Sequence, residues 1–350
     1  MCINKQLQTK EYNFLTTEKC LKDKLMFLVL GGSHAYGTNN ENSDVDVRGC
    51  VFQSKKSLLG LESFEQFSDE KTDTTIYGFN KLIKLLVDCN PNCIELLGSK
   101  PEHYCISHPI GKEFIDSRKM FLSLRAVRSF SGYATQQLRR LQNAVARDSL
   151  TEQEKERHIL HSLNNAIHSF NDRYSKVCDE NINVHIGEYI YNCVLADGGD
   201  SQEELLVDVK LKGYPLRDYK GMWFELQEIV KQYDKLNKRN KKKDENHLNK
   251  HAMHLIRLYY MVLDILEKEE IITYREENIE ELRAIRNGKY MNSDGTYHSY
   301  FFELVTDLEN RVEYASKNSS LLKNPNLKRI EEFMMYVNEI SLKFVDTESL

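Results

Sequence analysis

The alternation of apolar and polar positions divides the chain into an N-terminal part that mixes strand and helix periods and a longer, mostly helical remainder. Residues 1 to 24 are polar and mixed, and they predict one helix ahead of the first strand. Leu28, Val29 and Leu30 form an uninterrupted apolar run suited to a strand buried on both faces, and Gly31 and Gly32 end it. The run SDVDV predicts a second strand that continues through Gly49 to Phe52, with Asp44 and Asp46 on one face. Asp73 to Tyr77, DTTIY, has the composition of a third strand. The period then becomes helical, with Phe79, Leu82, Ile83 and Leu86 on one stripe of the segment Tyr77 to Asn90. Asn90 and Pro91 end that helix and start a short second one through Leu97. Pro101, Pro109 and Gly111 mark a loop, and the domain boundary falls near residue 115.

Beyond residue 115 strand signals almost vanish. Phe121, Leu124, Val127 and Phe130 recur as one buried stripe, and residues 151–175 repeat the pattern. Residues 184–195 read equally as a short strand or a helix. The only tryptophan, Trp223, lies in YPLRDYKGMWFELQEIV and is expected in a core. Residues 234–249 are basic without apolar period, which predicts a solvated loop or mobile linker. Lys250 to Glu267 is the strongest helix of this half, and Lys250, His254 and Arg257 share one of its faces. A short strand, ITY, a helix ending at Gly288 and two amphipathic helices complete the chain. The fold class expected is α+β, with domains at 1–115 and 116–350.

At 350 residues, 41% hydrophobic and 29% charged, this is the composition of a soluble globular protein. The net charge of −5 hides a basic cluster at Lys238, Arg239, Lys241, Lys242 and Lys243, so it neither demands nor excludes a nucleic-acid partner. MCINKQLQTKEYN lacks an apolar leader, and no apolar run is long enough for a bilayer, so a cytoplasmic protein without membrane association is expected. Eight cysteines without a CxxC pair read as reduced thiols. The histidine clusters, His158 with His161 and His247 with His251 and His254, lack metal co-ligands at suitable spacing and read as ordinary helical residues.

Chemistry is concentrated between Leu28 and Gly49. A Gly-Gly-Ser turn after a buried strand leaves backbone N–H groups open to an anion such as a phosphate, although such turns are common. Two carboxylates one residue apart on a strand repel each other; they are either a solvated strand edge or ligands of a hard cation, Mg²⁺ or Mn²⁺. The stripe Lys250, His254 and Arg257 is either a salt-bridged surface or a basic face that meets a triphosphate.

Gly-Ser followed shortly by Asp-x-Asp resembles the DNA polymerase β nucleotidyltransferase superfamily, with Gly32, Ser33, Asp44 and Asp46 at the matching places. The longer form, GSHAYG and then SDVDVRG, is similar to the predicted nucleotidyltransferases associated with RNA-repair operons, the RlaP-type family. DTTIYGFNKLIKLL leading into NPNCIELL extends the resemblance through Asp73, Tyr77, Lys81, Asn90, Pro91 and Glu95. KHAMHLIRLYYMVLDIL and LRAIRNG extend it through Lys250, His254, Arg257, Arg286 and Gly288. The resemblance implies a small mixed sheet with flanking helices, followed by a helical domain that closes the nucleotide cleft. It also implies transfer of an NMP from an NTP to an acceptor hydroxyl, with release of pyrophosphate. Asp44 and Asp46 would hold the nucleotide-side metal, and Asp73 would be the third acid, with Asp69 and Glu70 close by. Gly32 and Ser33 would bind the β- and γ-phosphates, and Lys250, His254 and Arg257 would meet the triphosphate. Family members stand near RNA ligases, which implies an RNA acceptor such as a damaged tRNA, with an RNA ligase as functional partner. Modification of a protein hydroxyl and a non-catalytic nucleotide- or RNA-binding role are the alternatives. The basic insertion around Lys241 and the long segment from Arg147 to Tyr219 depart from the family pattern.

Overall fold

The computed structural model describes Leu7 and residues 9–40, 43–149, 245–293 and 295–344, together with 182–186, 190–193, 202–204, 207–211, 219–221, 223–224, 226–228 and 231. It forms two compact units. The first comprises Met1–Leu141, Asp244–Ser293 and Tyr297–Leu350, and the second Gln142–Lys243 with Asp294–Thr296.

In chain order the first unit contains α1 (Phe14–Thr17), β1 (Leu25–Leu30), α2 (Gly32–Tyr36), β2 (Val47–Val51), α3 (Lys55–Leu59), β3 (Gln66–Asp69), β4 (Thr74–Gly78) and α4 (Phe79–Val87). There follow α5 (Pro91–Ile94), β5 (Tyr104–Ser107), α6 (Pro109–Asp116), α7 (Arg125–Ser149), of which only the part up to Leu141 belongs to this unit, α8 (Glu245–Lys268), α9 (Ile279–Arg286), α10 (Ser299–Asn318) and α11 (Leu327–Phe344). Strands β1 to β5 make one mixed sheet in the order β3-β4-β2-β1-β5. β1 is antiparallel to β2 and β5, β3 is antiparallel to β4, and β2 runs parallel to β4.

Both faces of the sheet are covered, which is why β1 reads as a continuous apolar run rather than an alternation. Leu28, Val47, Val51 and Ile76 pack on one face with Tyr12, Leu15 and Leu21. An aromatic cluster contains Phe27 of β1, with its ring centroid 6.2 Å from that of Phe114, which in turn lies 5.5 Å from Phe79 and 5.8 Å from Phe121. α8 is apolar over most of its circumference, with Leu248, Met253, Leu255, Ile256, Leu258 and Val262 all buried, and it packs against α9 and α10. Among the described residues no helix is long and apolar enough to cross a membrane.

Several local expectations change. The residues ahead of β1 form a 3₁₀ turn at Lys10–Tyr12 and the four-residue α1 instead of one helix. Asp44 and Asp46 lie just before β2 and outside it. The stretch punctuated by Pro101 and Pro109 contains β5, because four residues suffice to pair with the exposed edge of β1. ITY, in contrast, has no ladder: it is irregular and bends at Tyr274, with Thr273 N–H donating to the Gly98 carbonyl at 3.2 Å.

The second unit holds more strand than the sparse strand signals beyond residue 115 lead one to expect, and in residues 184–195, read equally as strand or helix, the described positions are strand. It contains β6 (Ile182–Ile186), β7 (Ile190–Cys193), β8 (Gln202–Glu204) and β9 (Val207–Leu211), paired antiparallel as β6 with β9 and β7 with β8. INVHI and VDVKL are β-branched alternations, each too short to stand out in a helical background. Trp223 is 49% exposed, so it does not occupy a core. The helix expected at 151–175 and most of the basic segment lie outside the described residues; the last five positions of that segment, 245–249, open α8.

Candidate active site

The site begins where β1 ends. The Gly31 N–H donates to the Asp46 carbonyl at 2.9 Å, continuing by one residue the pairing that aligns Leu30 with Val47. Gly32 follows with a φ of +56°, and a Cβ at this position would sit 1.6 Å from Asp46 Oδ2. Two independent constraints therefore require glycine: a left-handed backbone and a carboxylate packed against it. Ser33, part-buried in the first turn of α2, has no hydrogen-bond partner for its hydroxyl among the described residues.

Parallel pairing brings the second carboxylate to the same place. Val47 is aligned with Thr74, so the residues immediately before them, Asp46 and Asp73, stand side by side at one end of β2 and β4. Their carboxyl groups stand close enough for each to shift the other's titration. Burial and the neighbouring Asp73 push Asp46 up to about 7, against the lowering pull of Arg48 and Lys250. Asp73 is held below the usual carboxylate range by the neighbouring Asp46 carboxyl, with Arg48 adding to it. The pair thus keeps one proton near neutrality, a consequence of two like charges in one small space.

Arg48 organises the pair from below. Its guanidinium donates to Asp73 Oδ1 at 3.0 Å, to the Asp73 carbonyl, and to the Val47 carbonyl at 3.0 Å. Asp73 itself is left-handed, with a φ of +41°, a conformation that aspartate tolerates better than most residues. Asp44 stands two residues upstream and exposed. Among the described residues no group of three or more His, Cys, Asp or Glu side chains is placed to hold a metal ion. The geometry brings together Gly32, Asp46 and Asp73 and leaves Asp44 outside the cluster. The donor chemistry nevertheless fits a hard divalent cation: two oxygen-only carboxylates share a proton that such an ion would replace, and phosphate oxygens complete shells of this kind.

The face Lys250, His254 and Arg257 divides into three environments. Lys250 is exposed, and its ammonium lowers both Asp46 and Asp73. His254 lies edge-on to the Tyr36 ring, at 6.0 Å and 87°. Burial and the cations Arg257, Lys250, His251 and Arg286 push it well below 6.5, so it is neutral at pH 7. Arg257 is buried and turned to a different partner, Glu95, at 2.9 Å. Its guanidinium lies 3.7 Å from the centroid of the Tyr36 ring, whose hydroxyl donates to the other Glu95 oxygen at 2.8 Å. Thr273 Oγ1 donates to the Glu95 carbonyl at 2.6 Å, and the Arg275 N–H to the Tyr36 carbonyl at 3.1 Å. α9 then fixes the exit of α2, with Arg283 donating to the Gly37 carbonyl at 2.8 Å and Arg286 to the Thr38 carbonyl at 3.2 Å.

Tyr36, Arg48 and Arg283 were not singled out by the motifs, although Arg48 directly follows the DVDV run and Tyr36 lies inside GSHAYG. Only Arg48 was legible in principle, since a cation two residues beyond a carboxylate pair is a local pattern.

Residues 4–167 match the model of RlaP, the RNA repair pathway DNA polymerase beta family. The matched span contains Gly32, Ser33, Asp44, Asp46 and Asp73 and ends before Lys250, His254 and Arg257. No curated protein and no solved structure matches the chain. The family match supports a polymerase-β-type nucleotidyltransferase in RNA repair.

Proposed function

We propose that this chain, RlaP-like over residues 4–167, is a metal-dependent nucleotidyltransferase that moves an NMP from an NTP to a hydroxyl of an RNA end and releases pyrophosphate. The observation that carries the reading is the parallel register that sets Asp46 beside Asp73, with Gly32 pressed against Asp46 Oδ2. This closeness of backbone and carboxylates supports a site shared by a triphosphate and its cation.

In the reaction the acceptor oxygen bonds to the α-phosphorus while the bond from that phosphorus to the bridging oxygen breaks, and the electron pair leaves with pyrophosphate. Asp46 and Asp73 would hold Mg²⁺ or Mn²⁺, and the ion would supply charge neutralisation at phosphate oxygens and a lowered pKa for the acceptor hydroxyl. Asp73, the more open of the pair, accepts the acceptor's proton. The Gly32–Ser33 turn offers N–H groups and a hydroxyl to the β- and γ-phosphates. Lys250 neutralises the charge that grows on the leaving pyrophosphate. Arg257, paired with Glu95, acts through position: it stacks on Tyr36 and so holds the far end of α2.

The test is incubation of the full chain with each of the four α-labelled NTPs, Mg²⁺ and cellular RNA. Label is expected in RNA with one or more NTPs, and its loss in Asp46→Asn and Asp73→Asn. Label in a protein band would favour modification of a protein hydroxyl. NTP binding without pyrophosphate release would favour a sensor. Labelling unaffected by both substitutions would sink the proposal.

A further inference from the structure

Residues of α2 and α8 face each other across a groove that is open at one end and closed at the other. Ser33 and Tyr36, three positions apart in α2, share a face, and the Tyr36 ring meets the His254 ring at 6.0 Å and the Arg257 guanidinium at 3.7 Å. Lys250 marks the open end: it is exposed, its charge acts on Asp46 and Asp73, and Asp46 is packed against Gly32 at the start of α2. Arg257, further along α8, is 4% exposed. His254 stands between them, half-buried, about one helical turn in from Lys250.

The polar groups around His254 are committed to other partners. Tyr36 and Arg257 both bond to Glu95, and Arg286 donates to the Thr38 carbonyl. His254 makes no hydrogen bond among the described residues, which leaves both nitrogens of a group that can give and take a proton at the groove. The charged groups that act on it are of one sign. α8 supplies Lys250, His251 and Arg257, and α9 supplies Arg286. From α2 comes Tyr36, whose hydroxyl burial holds protonated, and the carboxylates that act on Tyr36 are engaged, Glu95 by Arg257 and Asp46 by its place beside Asp73. Burial and the cations keep the imidazole neutral at pH 7. An anion in the groove reverses that balance, since an opposite charge within about 4–6 Å favours the protonated form.

We propose that His254 donates a proton to the departing pyrophosphate, having taken it up when the triphosphate entered the groove. The inference deepens the proposed transfer and rests on that reading for the leaving group. As the acceptor oxygen bonds to the α-phosphorus and its proton passes to Asp73, the electron pair of the breaking bond settles on the bridging oxygen. The His254 proton joins that oxygen, and the neutral imidazole regains one from solvent with the next triphosphate. Arg257 cannot serve, because a guanidinium keeps its proton at any working pH.

Proton uptake is read by calorimetric titration of the full chain with Mg²⁺ and the unreactive α,β-methylene analogue of each NTP, at pH 7 in buffers of different ionisation enthalpy. A divalent cation displaces the proton held near Asp46, so the count is a difference: the wild type is expected to bind up to about one proton more than His254→Gln. The donor role is read by label transfer from each NTP and from its β,γ-difluoromethylene analogue, whose leaving group is a weaker base. His254→Gln is expected to lower kcat about 100-fold with NTP and less than about 10-fold with the analogue, whereas a misplaced helix slows both alike. In the wild type, where no variant has to fold, the alkaline fall of kcat is expected to be steep with NTP and shallow with the analogue. Equal proton counts, equal slowing with the two donors, or identical alkaline limbs overturn the role of His254. Transfer that persists with equal proton counts removes this role and leaves the transferase. A His254-dependent proton uptake without transfer from any NTP removes the transferase, and the donor role with it.

Discussion

Two charged constellations lie within the first unit and are built on opposite principles. At the end of β2 and β4, Asp46 and Asp73 set like charges side by side, partly open to solvent, with Arg48 and Lys250 only partly offsetting them. Between α2 and α8, Glu95 and Arg257 set opposite charges together, buried, with Tyr36 and Thr273 occupying the remaining Glu95 acceptors. The first stays electrostatically unfinished. The second is complete, and breaking it strands a charge in the interior. Strain in the electrostatics marks chemistry, and satisfaction marks scaffold.

The largest effect is expected from breaking the complete pair. Arg257→Met leaves the Glu95 carboxylate buried and unpaired, and should destabilise by about 3–5 kcal/mol in chemical denaturation. Arg257→Met combined with Glu95→Leu should recover most of that loss, and a double mutant as unstable as the single would overturn the contrast. Next, Asp46→Asn should cost at least about 100-fold in label transfer while leaving the melting temperature equal or higher, because it removes a like-charge contact. A melting temperature that falls together with activity would make Asp46 a structural residue.

The pH dependence sharpens the same comparison. Asp46 rises from 3.8 unfolded to about 7 folded, so the native state binds more protons across that interval. Its contribution is fully present below the unfolded value and is lost as pH rises towards 7. His254 is held well below 6.5, so its contribution is present above 6.5 and is lost as pH falls below that value. Between about pH 4 and 6.5 the two slopes oppose each other. Asp46→Asn should expose the His254 slope, seen as a steeper fall in metal-free stability on acidification; parallel curves for mutant and wild type would refute the assignment. The smallest effect is expected at the exit of α2. Arg286→Met removes one bond to the Thr38 carbonyl and should cost about 1 kcal/mol, with a rise in KM for NTP larger than the fall in kcat.

The parts of the fold that depend on neighbours in sequence were legible. The apolar run Leu28–Leu30, the glycine turn, the helical stripe from Phe79 and the long helix from Lys250 are local patterns, and each corresponds to an element of the structure. β5 was hidden because YCIS is short and lies between prolines; its existence depends on an edge of β1 that no local window contains. The strand expected at ITY failed for the converse reason, since β-propensity without a partner edge gives only an irregular connection. In the site, the two carboxylates and Gly32 sit at strand ends that periodicity locates. The destination of Arg257 was not legible, because helical spacing fixes its face on α8 and says nothing of Glu95 on the far side of the chain. Trp223 shows the limit of composition, since a large aromatic is core by habit and this one is 49% exposed.

The separation of Glu95 and Arg257, 162 residues, also has a meaning in time. At about 5–20 residues per second, a ribosome needs roughly 8–32 s between the two. Late in that interval all five strands of the sheet have been synthesised, yet Glu95 lacks Arg257 as its countercharge and Tyr36 has no guanidinium to stack upon. The order of synthesis therefore keeps α2, and the glycine turn at its start, from being locked until the long insertion has been made. A half-finished chain would carry Asp46 and Asp73 without the brace that holds the helix beside them.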